Sequence, residues 1–222
     1  MRTYNDRCGI ARALDVVGER WALLVVRELL LGPKRFTDLR SGLPQVGPDV
    51  LAQRLRELEQ AGIVERSTLP PPAASRVYQL TERGRELEET VLALGRWGSG
   101  EPIADGDAAF GPDSAMLALK TMFDPAAIGS LRATLELRLS PERFTARVSD
   151  RLLQVQRGNA QDPDAVITTD PATLASVLWH GLELDQARRS GRFMTEGSEQ
   201  AVGRFLKLFG QSSSRTRSVS TS

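Results

Sequence analysis

The segment LPQVGPDVLAQRLRELEQA, residues 43–61, decides how the first half of this chain folds. Pro44, Gly47 and Pro48 stand just ahead of a run of strong helix formers, and proline is well tolerated at a first helical position. Leu51, Leu55 and Leu58 recur at i, i+4 and i+7, which makes one apolar stripe. At about 100° per residue, Asp49, Gln53, Arg56 and Gln60 fall on the opposite side, with Arg54 on the flank. Gly62 follows where a helix stop is expected. Alone, the segment is an ordinary amphipathic core helix; its neighbours give it a second meaning.

Upstream, Asn5 or Asp6 can cap a first helix reaching about Val17, with Ile10, Leu14 and Val17 on one face. After Gly18, residues 19–31 (ERWALLVVRELLL) are apolar almost all round, the pattern of a helix buried on several sides or shared with a partner subunit. Gly32-Pro33 ends it, and residues 34–40 (KRFTDLR) form a short helix with Phe36 and Leu39 inward. Two helices joined by a Gly/Pro turn, behind a longer supporting helix, is helix-turn-helix order. Residues 63–69 and 76–80 then read as two strands around the turn PPPAAS, a hairpin in the position of a wing. Thr81 can cap a further helix carrying Leu87, Val91 and Leu94 at helical spacing and Trp97 at its end. With no other cover in the sequence, that helix is a candidate dimer contact.

The motifs now stand in a recognisable order. They are Cys8, residues 13–17 leading to Gly18-Glu19-Arg20-Trp21, Arg27-Glu28-Leu29, Arg35-Phe36-Thr37-Asp38-Leu39, residues 51–58 (LAQRLREL), Gly62-Ile63-Val64 and residues 78–84 (YQLTERG). Over about residues 8–98 this resembles the HxlR family of bacterial winged helix-turn-helix regulators. The resemblance implies a transcription regulator that binds double-stranded DNA, generally as a homodimer.

DNA recognition needs a helix with polar outward residues, a positive frame for phosphates and two copies at half-site spacing. Helix N-termini favour phosphate, which suits Arg35 and Thr37 in the shorter helix and Pro48 and Asp49 in the longer one. Gln53 and Arg56 can form bidentate bonds to adenine and guanine edges, Arg54 is better placed for phosphate, and Arg66 and Arg76 flank the wing hairpin. For each arginine a solvated surface charge is the plainer reading. Asp49 puts a negative charge on the groove side, Glu65 lies at the wing base, where the family often carries basic residues, and residues 1–98 hold 15 Lys and Arg against 13 Asp and Glu. Binding is therefore expected to rest on local arrangement and to weaken steeply with salt.

Cys8 lies near the start of the first helix, where the helix dipole favours thiolate, with Arg12 one turn on. It matches the N-terminal cysteine that some HxlR members use to sense oxidants or electrophiles, which makes it the redox-sensing candidate; the alternative is a buried, inert residue. As the chain's only cysteine it excludes an intrachain disulfide and a multi-cysteine zinc site, so sensing is limited to an adduct or a disulfide between subunits.

Residues 99–112 are small, acidic and Gly-containing, and read as a linker. A short helix is expected over residues 114–122. Residues 131–139 (LRATLELRL) and 143–149 alternate in polarity, 153–156 and 165–168 add two short strands, and turns at Ser140-Pro141 and Asp150-Arg151 make an antiparallel meander with one buried face. Asp170 caps a helix over residues 171–179, residues 192–195 form a last strand, and residues 198–209 carry Val202, Phe205, Leu206 and Phe209 on one face. Residues 164–170 (DAVITTD), Leu174, residues 190–197 (SGRFMTEG), Phe205-Leu206 and Leu208-Phe209 resemble the sterol-carrier-protein-like domain over about residues 113–210. That resemblance implies a curved sheet around an apolar cavity and hence an apolar small-molecule or lipid effector. From the residues themselves, Leu135, Leu137, Phe144, Ala146 and Val155 can line a ligand cavity or make a closed core. The tail, residues 211–222, is mostly Ser, Thr and Arg and reads as disordered.

Composition bounds the rest. The chain has 222 residues, 41% hydrophobic and 26% charged, with formal charge +1, enough for one large or two small domains. No run of about 18 apolar residues exists and the N-terminus lacks an apolar signal core, so no membrane span and a cytoplasmic location are expected. No phosphate loop, dinucleotide fingerprint, metal motif or catalytic constellation is found, and His180, the lone histidine, reads as a packing or capping residue. The expectation is a non-enzymatic α+β protein without cofactor or metal: a mostly helical winged helix-turn-helix domain, then an antiparallel sheet covered by helices. Its function reads as a homodimeric, sequence-specific regulator with a possible apolar ligand. An apolar-ligand carrier whose winged-helix half serves mainly in dimerisation is the alternative.

Overall fold

Residues 3–72, 74–100 and 110–209 are described by a computed structural model, which divides into two units, Met1–Thr121 and Met122–Ser222. Most of the expected linker (residues 101–109) and the expected disordered tail lie outside the described residues.

In the first unit the helices are α1 (Gly9–Val17), α2 (Ala22–Leu29), α3 (Phe36–Gly42) and α4 (Pro48–Gln60). Helix α1 starts later than the sequence predicts because the Asp6 carboxylate accepts from the Cys8 N–H, 2.8 Å, ahead of the helix. Helix α2 is shorter than the apolar run because Trp21 enters it in the left-handed region, φ 78°. Its buried side, with Ala22, Val25, Val26 and Leu29, meets Leu39 of α3 and Leu51, Leu55 and Leu58 of α4 in one core. Each leucine so buried contributes roughly 1.5–3 kcal/mol relative to exposure. Helix α4 begins at Pro48 after N-cap Gly47 and closes with a Schellman arrangement: the Ile63 N–H donates to Leu58 O and the Gly62 N–H to Glu59 O, with Gly62 at φ 69°.

Strands β1 (Val64–Thr68) and β2 (Arg76–Leu80) pair antiparallel, Arg66 opposite Tyr78 and Thr68 opposite Arg76. Lys34 adds a short third rung, its N–H donating to Tyr78 O at 2.9 Å and its carbonyl accepting from the Tyr78 N–H at 2.8 Å. The helix expected after Thr81 is two pieces. Thr81 caps α5 (Glu82–Arg85) by accepting from the Gly84 N–H, and α6 (Glu88–Gly98) follows after a break. A side chain at residue 84 would strike the Ile63 carbonyl, its Cβ only 2.1 Å away, so glycine is required there. Helix α7 (Pro112–Met122) follows, with all but its last residue in this unit.

The second unit is a sheet in the order β5-β4-β3-β6-β7, made of β3 (Ala133–Leu139), β4 (Glu142–Ser149), β5 (Leu152–Arg157), β6 (Ala165–Thr169) and β7 (Phe193–Gly197). The meander is as expected, but the sheet is mixed, since β3 and β6 run parallel. A parallel neighbour needs a crossover, and residues 158–164 carry the chain from β5 past the meander to β6. Leu135, Leu137, Phe144, Ala146 and Val155 share the buried face. Helices α8 (Pro171–Trp179), α9 (Leu184–Arg189) and α10 (Glu199–Leu206), with a 3₁₀ turn at Lys207–Phe209, complete the unit. Asp170 caps α8 as expected, accepting from the Thr173 N–H and hydroxyl, while α9 is too short to leave a periodic trace in the sequence. Phe193, Phe205 and Phe209 are fully buried, the last two edge to face with centroids 5.0 Å apart.

Candidate nucleic-acid interface

Helix α4 turns its leucine stripe inward and leaves Asp49, Gln53, Arg56 and Gln60 exposed, together with Pro48 and Val50. Val50 escapes a reading that looks for polar groups, yet it is an exposed valine beside Asp49, a side chain of the type that can pack against a thymine methyl. On this surface the Arg56 guanidinium donates to Gln53 Oε1 at 2.6 Å, and the Gln53 amide donates to Glu57 Oε1 at 2.8 Å. Gly47, the N-cap of α4, has no side chain to accept from the N-terminal N–H groups.

Arg54 is placed differently. Its side chain is only 11% exposed, paired with Glu57 and, at 3.7 Å, with Glu19, in a small cleft that Asp15 also lines. A phosphate role would require it to leave both carboxylates. Arg35 and Thr37 are exposed at the start of α3, but the Asp38 carboxylate accepts from the Arg35 N–H at 3.0 Å and sets a negative charge at that helix end.

The register of the hairpin puts Arg66 and Arg76 on one face of the ribbon with Tyr78 between them. Arg66 stacks over the Tyr78 ring, 5.5 Å to its centroid, and pairs with Glu59 at 3.1 Å. Glu65 lies on the opposite face, accepting from the Gln79 amide at 2.8 Å. The acidic wing residue and the two arginines therefore face apart.

Two apolar surfaces are left uncovered in the single chain. Ile10 is 72% exposed and Leu14 42% on α1, while on α6 Trp97 is 70% and Leu94 49% exposed and no residue is fully buried. Cys8 is exposed rather than buried, at the N-cap of α1, with the Arg12 N–H donating to its carbonyl. His180 is exposed at the C-cap of α8. No group of metal-ligating side chains occurs among the described residues, and no described helix is long and apolar enough to cross a membrane.

A helix-turn-helix backed by α2 and followed by a two-stranded wing defines a winged-helix, DNA-binding class of protein. A family model described as HxlR-like helix-turn-helix matches residues 16–102. The transcriptional regulator YodB of Bacillus subtilis is 39% identical over 85 residues, 38% of this chain and 76% of its own length. The uncharacterized regulator sll1512 of Synechocystis is 38% identical over 94 residues, 41% of this chain and 68% of its own. A crystal structure of quinone-bound YodB has 34% identity, covers 41% of this chain and 97% of that one, and superposes with a TM-score of 0.36. This chain belongs to the HxlR family: it is an HxlR-type DNA-binding transcriptional regulator. The family match ends at residue 102, so the second unit lies beyond it.

Proposed function

We propose that the chain is a homodimeric, sequence-specific regulator that reads double-stranded DNA in the major groove with the outer face of α4. The observation that carries this reading is that face itself: Gln53 and Arg56, the two side chains able to make bidentate bonds to base edges, are exposed one turn apart, opposite the buried leucines. Asp49, Val50 and Pro48 meet the groove edge, and Arg66 and Arg76 approach the backbone from the wing. Arg35 and Thr37 are secondary phosphate contacts, and Arg54 contributes by orienting Glu57. Dimerisation through the apolar faces of α1 and α6 sets two reading helices at half-site spacing.

The second unit is proposed as a modulator. The sterol-carrier resemblance favours an apolar effector, which would act by binding one arrangement of the reading helices better than another. The sealing of Leu135, Leu137, Phe144, Ala146 and Val155 also fits a closed core, so native mass spectrometry with added fatty acids or sterols decides this part. Mapping of genomic binding sites in cells tests the whole: discrete sites containing an inverted repeat are expected, and uniform, sequence-independent coverage overturns the specific-regulator reading.

A further inference from the structure

Beneath the wing lies a row of alternating charges that the DNA-reading face does not use. Arg27 donates twice to Glu28 Oε1, at 2.8 and 3.2 Å; Lys34 Nζ lies 2.6 Å from Glu28 Oε2 and 2.7 Å from Asp113 Oδ2. The side chains of Glu28, Lys34 and Asp113 are 1%, 7% and 6% exposed. Gly42, the last residue of α3, makes room for this: a Cβ there would sit 2.1 Å from Glu28 Oε2. Among the described residues of the family-matched segment, Glu28 is the carboxylate that faces both cations. The second carboxylate comes from α7, at residue 113, outside the match. Buried charges that lose a partner are penalised, and undocking α7 would leave the half-buried Arg27 and the buried Lys34 to share the single Glu28 carboxylate.

Lys34 is also where the reading elements join. Its backbone pairs with Tyr78 of the wing, and the next residue, Arg35, caps α3. The far end of α7 engages α6: Lys120 pairs with Glu88, and Gly95 leaves space for Thr121, whose Oγ1 would be 3.2 Å from a Cβ at that position. Helix α7 thus braces the reading head against α6, and the chain passes from it directly into the second unit.

We propose that Asp113 is a positioning residue for DNA binding, acting through Lys34: the docked α7 holds the wing and the helix-turn-helix in the DNA-binding arrangement, and its release weakens binding. This rests on the reading of α4 and the wing as the DNA-contacting elements. The test compares the full chain with Asp113→Asn at a temperature where both are folded, by amide exchange and by titration with duplex from its own upstream region. Exchange of the Lys34 and Tyr78 amides is expected to quicken about tenfold with β3–β5 unchanged, as for local opening, and DNA affinity to fall several-fold. Asp113→Glu, which keeps the charge, is expected to recover most of both, and it provides the comparison if Asp113→Asn does not fold. Unchanged exchange at Lys34 and Tyr78, or faster exchange with wild-type DNA affinity, overturns the proposal. A wild-type chain that binds no DNA overturns instead the reading on which it rests.

Discussion

Arg56 and Gln53 are hydrogen-bonded in the free protein, the guanidinium donating to the amide oxygen at 2.6 Å on the exposed face of α4. Because both are solvated, exchanging this bond for bonds to base edges costs little net. Arg56→Ala is expected to weaken specific binding by about 1–3 kcal/mol and to relax preference at one base pair. Gln53→Ala is expected to do the same at a neighbouring pair. The double variant should lose less than the sum, since the two side chains are coupled. Competition titrations against single-base-pair variants of a mapped site check all three outcomes.

Asp49 is exposed in the first turn of α4, on the side of Gln53 and Arg56. Placed near phosphates it opposes binding, so Asp49→Asn should tighten DNA binding several-fold, with the largest gain at low salt. Equal affinity of the two proteins at every salt concentration would mean that this side of the helix does not enter the groove.

Trp97 and Ile10 expose more apolar surface than any neighbouring packing in the single chain explains. Trp97→Asp and Ile10→Asp should each shift sedimentation toward monomer and weaken DNA binding by removing the second half-site contact. Dimers unaffected by either change would place the interface elsewhere.

Glu136 is the buried carboxylate of the polar face of the second unit. Arg138 Nε donates to it at 2.6 Å and holds its carboxyl below the ordinary 4.5, against the opposing effect of burial and with help from the Ala160 N–H. A carboxyl lowered in the folded state stabilises above its unfolded pKa, and that stability is lost as pH falls through the lower, folded value. Urea midpoints measured between about pH 7 and about pH 3 should therefore drop on acidification, and Glu136→Gln should flatten that part of the curve.

Cys8 is exposed at the N-cap of α1. Its thiol should react with a disulfide reagent in the folded protein as fast as in urea. A thiol protected until unfolding would remove it as a sensing site.

Much of this architecture is legible from local chemistry. The leucine stripe of α4, Pro48 at its start and Gly62 at its end are local signals that tertiary packing reinforces. The hairpin and the Asp170 cap are of the same kind. What the sequence hides depends on partners distant in the chain. Lys34 reads only as the first residue of a short helix until Asp113, 79 residues away, is brought to it. Arg54 reads as a phosphate ligand until Glu19 and Glu57 close around it. The parallel pairing of β3 with β6 is likewise invisible, since alternation specifies a face but not a neighbour. The division of the helix after Thr81 into α5 and α6, and the close approach of Gly84 to the Ile63 carbonyl, are announced by no periodicity.

The central claim is that α4 reads sequence in the major groove. Its most direct test is a fluorescence titration of the full chain with duplex from its own upstream region and with random duplex, repeated across a salt series. The account predicts that the specific duplex binds at least about a hundredfold tighter, that both weaken steeply with salt, and that Arg56→Ala narrows the gap without changing random-duplex affinity. Equal affinity for the two duplexes, or an Arg56→Ala effect identical on both, would contradict it.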